Sequence, residues 1–295
     1  MRLTDGGLET SLIYHQGLDL PHFAAFPLVE TSDGKRALED YWMPYLAVAD
    51  EHGVPFVVDT PTWRASPDWG ARLGYDAAAL WAANEAAARF ARHLTGHVGE
   101  AIVNGVVGPR GDGYVVGEQM SADEAADYHG PQIEALAGAG ADQVSAITFT
   151  YPDEAIGFVR AASAVGVPCL VSFTVETGGR LPNGDALREA VDRVDRETGG
   201  AAGGFMVNCA HPAHFEGSLV DGDWLERIRG VRANASTMSH AELDAAEELD
   251  EGDPEELGAG YVALRTHLPS VNVLGGCCGT DERHVAAVAA AWASA

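Results

Sequence analysis

Eight short apolar runs alternate with eight longer helix-like stretches along the chain, and that alternation leaves few folds open. The runs lie at 2–4, 55–59, 101–107, 143–149, 168–173, 204–208, 231–235 and 271–274. The helical patterns between them lie at 35–52, 76–94, 122–139, 153–165, 185–197, 223–229, 255–267 and 281–292. Ser121, Asp153, Asp185 and Asp281 stand where helix N-caps are wanted, and Gly53 and Gly166 where helices should stop. Strict strand–helix alternation requires parallel pairing, and eight units are enough to close a sheet. We therefore expect an α/β fold, a single (β/α)8 TIM barrel, with residues 1–295 as one domain. The rival is an open doubly wound sheet. It would carry a glycine-rich phosphate turn after the first strand, and Asp5-Gly6-Gly7-Leu8-Glu9 is not one.

Charge and composition narrow the functions. The formal net charge is −26, Lys35 is the only lysine, and 46% of the residues are hydrophobic. So acidic a surface repels phosphate backbones and anionic lipid, which argues against nucleic-acid and membrane partners. There is no apolar run long enough to span a bilayer, and Asp5 and Glu9 interrupt any signal-peptide layout. The expected setting is cytoplasmic, where four cysteines suit metal or catalytic work better than a disulfide framework. Whether the chain forms a homo-oligomer is left open.

Three of those cysteines follow strand ends, where barrel active sites are built. Cys209 follows the sixth run; Cys277 and Cys278 follow the eighth, in the turn Gly275-Gly276-Cys277-Cys278-Gly279-Thr280. Three thiolates on one zinc leave a fourth tetrahedral position open, the mark of a catalytic site. Soft sulfur favours an incoming thiol there, and coordination removes its proton. The chemistry points to alkyl transfer from a sulfonium or quaternary ammonium carbon to that thiol. Two other arrangements stay open: a vicinal disulfide between Cys277 and Cys278, and a structural zinc completed by His211 or His214. Cys169, inside the fifth run, reads as a core residue.

These motifs resemble the homocysteine S-methyltransferase family, whose members use betaine or S-methylmethionine. The likeness runs from Asp5-Gly6-Gly7 and Glu9-Thr10 through Val107-Gly108-Pro109 and Asn208-Cys209 to the Gly-Gly-Cys-Cys turn. Weaker echoes occur at Thr62 to Ser66, at Ser172-Phe173-Thr174 and at Asn234. The resemblance implies a zinc-containing barrel with Cys209, Cys277 and Cys278 as ligands. It also implies that Asp5, Gly6 and Gly7 hold the amino-acid end of homocysteine, with Asn208 and Asn234 nearby. Two positions depart from the family pattern. Phe149 stands where a glutamate before Thr-x-Pro helps bind the substrate amine, and Arg64 stands where glutamine is common. Glu176, after the fifth run, is the candidate replacement acid. Trp42, Trp63, Trp69 and Tyr151 are candidate cation–π contacts for a methyl-bearing donor.

The expected function is methyl transfer from a small sulfonium or ammonium donor to a thiol, homocysteine first, giving methionine. Transfer to another thiol or a selenol such as selenocysteine, and a non-catalytic zinc- or thiol-binding barrel, are the alternatives.

Overall fold

Branched and aromatic side chains fill the short runs and suit extended, doubly covered strands. In the computed structural model, which describes residues 1–295, they form β1 (Arg2–Leu3), β2 (Phe56–Asp59), β3 (Ala101–Val107) and β4 (Gln143–Phe149). The remaining four are β5 (Cys169–Thr174), β6 (Phe205–Asn208), β7 (Ile228–Ala233) and β8 (Val273–Gly276). Every strand pairs in parallel with its sequence neighbours, and β8 returns to β1 through Arg2–Val273 and Leu3–Leu274. The sheet is a closed eight-stranded barrel with helices between its strands, as the alternation predicts.

The helices bury their apolar stripes against the outside of the barrel. Leu38, Trp42, Leu46, Ile133, Phe158 and Val288 share one continuous core with outward-facing Val58, Val103, Val171 and Phe205. Ser121 caps helix Ala122–Gly138 in a reciprocal box with Glu124, and Asp281 caps Glu282–Ser294. Gly53 and Gly166 end their helices in the left-handed conformation, at φ 60° and 78°. Two expected caps are corrected. Tyr151 occupies the N-cap before Pro152, leaving Asp153 inside the first turn, and Ala186, not Asp185, precedes helix Leu187–Thr198.

The sixth unit differs most. The helix expected over 223–229 is a five-residue 3-10 turn, Asp223–Arg227, and β7 starts at once with Ile228. Trp224 and Leu225 are buried, and the crossover from β6 holds only the short helix Pro212–Phe215 and 3-10 turns. Asn234 and Ala235, expected within the strand, lie beyond its end and face the cysteine turns.

Inside the barrel a polar belt crosses five strands or strand ends. Ser145 donates to Asn104 Oδ1 at 2.7 Å, Asn104 donates to Asp59 at 2.7 Å, and Arg232 reaches both Asp59 and Asp5. Buried polar groups survive only when paired, and this belt pairs them directly beneath the barrel's carboxyl-end mouth.

Candidate metal centre and pocket

Cys209 leaves β6 in the left-handed region, at φ 53°, a conformation rare without glycine and held here by its neighbours. Its N–H donates to Arg232 O at 3.1 Å. The turn after β8 is tied to the same strand, with Cys277 N–H donating to Ala233 O at 2.8 Å. Thr280 closes the turn by donating through Oγ1 to Cys277 O at 2.7 Å, and Gly279 takes φ 78° to allow it. Ala235 N–H donates to Cys278 O at 3.2 Å. Three strand ends thereby bring Cys209, Cys277 and Cys278 to one point, with all three sulfurs within 4.8 Å of one another.

The donor set fits a cation. Tetrahedral thiolates on a zinc–sulfur bond near 2.3 Å stand about 3.8 Å apart, and Cys209 and Cys278 sulfurs are 3.9 Å apart. Cys277 Sγ is drawn closer, into a disulfide with Cys209 across a Cα separation of 5.4 Å. A disulfide and a metal are alternative occupants of these sulfurs, so metal binding requires the reduced pair. The expected vicinal alternative, Cys277 with Cys278, is not formed. Burial pushes the Cys278 thiol up to about 11, so a cation is what would turn it into a thiolate near neutral pH. Neither candidate histidine completes the set. His211 caps the short helix Pro212–Phe215, and His214 bonds Thr237 O at 2.9 Å. What does touch the sulfurs is Tyr114, whose hydroxyl lies 3.4 Å from Cys278 and 3.7 Å from Cys209. Its ring stacks on His240 at 4.0 Å.

The sulfurs open into a cavity of about 410 Å³ at the barrel mouth. Asp5, Gly6 and Gly7 line it, but much of their polar capacity is spent on the protein. Arg232 meets Asp5 Oδ1 at 2.5 Å, and the Tyr41 hydroxyl donates to Oδ2 at 3.0 Å. Burial pushes the Asp5 carboxyl up to about 7, against the pull of Arg232. Gly7 N–H donates to Thr280 O at 3.0 Å, and a Cβ on Gly7 would come 2.7 Å from Cys277 O. That glycine lets the loop after β1 sit on the cysteine turn.

Other expected site residues lie elsewhere. Phe149 is fully buried among His129 and Phe158 behind the barrel wall, because β4 shifts register between Ala146 and Phe149. Thr148, at φ 65°, faces the cavity in its place. Glu176 is outside the cavity and bonds His240 Nδ1 at 3.1 Å. Asn208 is fully buried beneath the sulfurs, with Nδ2 3.8 Å from Cys277 Sγ. Asn234 acts through its backbone, its N–H donating to Ala210 O at 3.2 Å.

The aromatic candidates divide. Trp63 lines the cavity, whereas Trp42 is in the core and the Tyr151 hydroxyl accepts from Met120 N–H at 2.9 Å. Trp69 is covered by Arg64, whose guanidinium lies 3.7 Å from that ring and 4.0 Å from Trp63. Burial lowers Arg64 to about 10. Tyr114 and Arg232 carry no motif, and no local sequence signal marks them. Only the fold brings them to the sulfurs.

Residues 2–292 match the homocysteine S-methyltransferase family. Among curated relatives, Homocysteine S-methyltransferase 3 of Arabidopsis thaliana is 25% identical over 59% of this chain and 50% of its own length. Homocysteine S-methyltransferase YbgG of Bacillus subtilis is 26% identical over 59% of this chain and 54% of its own. The chain thus spans about half the length of the curated relatives it matches. The homocysteine methyltransferase MmuM of Escherichia coli, in its metallated form, superposes with a TM-score of 0.75 at 20% identity, over 98% of this chain and 96% of that one. Its oxidized form gives 0.76 at 21% identity, over 98% and 95%. With the match running almost end to end, the chain belongs to the homocysteine S-methyltransferase family.

Proposed function

We propose that this chain is a zinc-dependent thiol S-methyltransferase that moves a methyl group from a small sulfonium or ammonium donor to homocysteine, forming methionine. The observation that carries the reading is the meeting of three sulfurs from two strand ends at the floor of one cavity. Zinc, when bound, would supply an open vertex at which a soft substrate thiol gives up its proton. The chain's own residues do the rest. The polar belt holds Asp5 and the sulfurs in register, and Asn208 supports Cys277 from below. Cavity walls exclude water and align the donor methyl with the acceptor sulfur. Asp112, Asp244, Glu248 and Asp250 give the mouth a negative field that draws in a cationic donor.

The test supplies reduced, zinc-loaded protein with homocysteine or selenocysteine, and with S-methylmethionine, S-adenosylmethionine or glycine betaine as donor. Methionine from homocysteine is the expected product. Transfer to selenocysteine alone would favour the selenol reading. Tight zinc with no transfer from any donor would leave a binding barrel.

A further inference from the structure

An aminothiol acceptor needs an anion for its ammonium, and the groups expected to provide one are engaged elsewhere. Asp5 is bound by Arg232 and Tyr41, and Asp59 by Arg232 and Asn104. Phe149 is in the core, and Glu176 serves His240. One carboxylate in the cavity differs from these. Glu9 lines it, and beyond its own backbone N–H and the more distant charges of Arg64 and Arg232 its carboxylate has no side-chain partner. Its place is set by the loop after β1, which is seated on the cysteine turn. Thr10 Oγ1 donates to Gly7 O at 3.0 Å and accepts from Gly279 N–H at 3.3 Å. Glu9 and Cys278 line the same cavity. In homocysteine three carbons separate sulfur from nitrogen, so an amine reaching from a sulfur at the metal centre stays among the residues that line this cavity. The rim acids are weaker candidates. Asp112, Asp244 and Glu248 are exposed to solvent, and Asp250 is already bonded to Ser236.

We infer that Glu9 receives the ammonium of the acceptor, replacing the acid missing at position 149 and selecting aminothiols over thiols without an amine. The inference rests on the proposed thiol chemistry and names the acceptor class that site takes. Burial pushes the Glu9 carboxyl up to about 7 against the pull of Arg64 and Arg232, and an arriving ammonium would give it a direct partner.

The experiment measures calorimetric binding of homocysteine and of 4-mercaptobutyrate, its des-amino counterpart, to zinc-loaded wild type and Glu9→Gln. A charge-assisted hydrogen bond corresponds to about 10- to 100-fold in affinity. Wild type should prefer homocysteine by that factor, and Glu9→Gln should lose the preference by weakening homocysteine alone. Zinc content of one per chain in both proteins shows that the variant keeps its metal centre. Equal binding of the two thiols by wild type, or equal weakening of both in the variant, overturns the inference. Binding with the expected preference but without methyl transfer overturns the proposed function and leaves Glu9 in place. Failure of wild type to bind either thiol overturns both.

Discussion

Asn208 and Thr148 clasp each other across the barrel interior. The Thr148 N–H donates to Asn208 Oδ1 at 3.0 Å, and Asn208 Nδ2 donates to Thr148 Oγ1 at 2.7 Å. Thr148 and Cys209 are both non-glycine residues in the left-handed region, one in the clasp and the other next to it in sequence. Ser172 donates to the same Asn208 Oδ1 at 2.6 Å. A single buried amide thus holds two unfavourable backbone conformations, one on each side of the cavity floor.

Asn208→Ala should therefore cost about 1–3 kcal/mol of stability, because it strands the buried Thr148 N–H. It should also weaken metal binding about 10- to 100-fold by releasing Cys277. Denaturant midpoints and competition with a chelator measure the two effects. A variant as stable as wild type would show that the clasp carries no strain.

The Arg232 guanidinium bridges two buried carboxylates, so Arg232→Met leaves Asp5 and Asp59 facing each other uncompensated. The expected loss is about 3–5 kcal/mol. Adding Asp59→Asn should recover part of it, since removing the second charge removes the repulsion. Urea denaturation of the single and double variants decides the matter, and additive losses would contradict the bridge.

Glu9 also makes a prediction about pH. Its folded-state carboxyl is raised from 4.5 to about 7 by burial, so the unfolded chain ionises first. Its favourable contribution is fully present below about pH 4.5 and is lost as pH rises through about 7. Glu9→Gln does not titrate and should lose less stability than wild type across that window. With partial solvent screening the difference is about 1–2 kcal/mol. Denaturation curves collected from pH 4 to pH 8 would contradict this if the two proteins stayed parallel.

Local patterning was enough for the barrel. The runs at 101–107 and 143–149 coincide with β3 and β4, and Ser121 and Asp281 cap the helices they precede. The meeting of the three sulfurs was legible as well, because Cys209, Cys277 and Cys278 each follow a strand end and barrels place such residues together. The substrate wall was not. One register shift in β4 decides whether Phe149 or Thr148 meets the cavity, and no periodicity reports a bulge. Arg232 looks like an ordinary strand residue until β1, β2 and β7 are brought together around it. Glu176 follows a strand end, as a site acid should, yet His240, at the start of the short helix His240–Ala245, holds it outside. The sixth helix failed for want of length: Trp224 and Leu225 carry the apolar pattern of a helix in a segment of five residues.

Elemental analysis of reduced protein tests the convergence of the three sulfurs most directly. Wild type and Cys169→Ser should each carry one zinc per chain, since Cys169 is buried within β5, away from the cluster. Cys209→Ser and Cys278→Ser should lose it on dialysis against a chelator. Metal-free wild type under reducing conditions, or a full complement of zinc in Cys278→Ser, would contradict the metal centre and the chemistry built upon it.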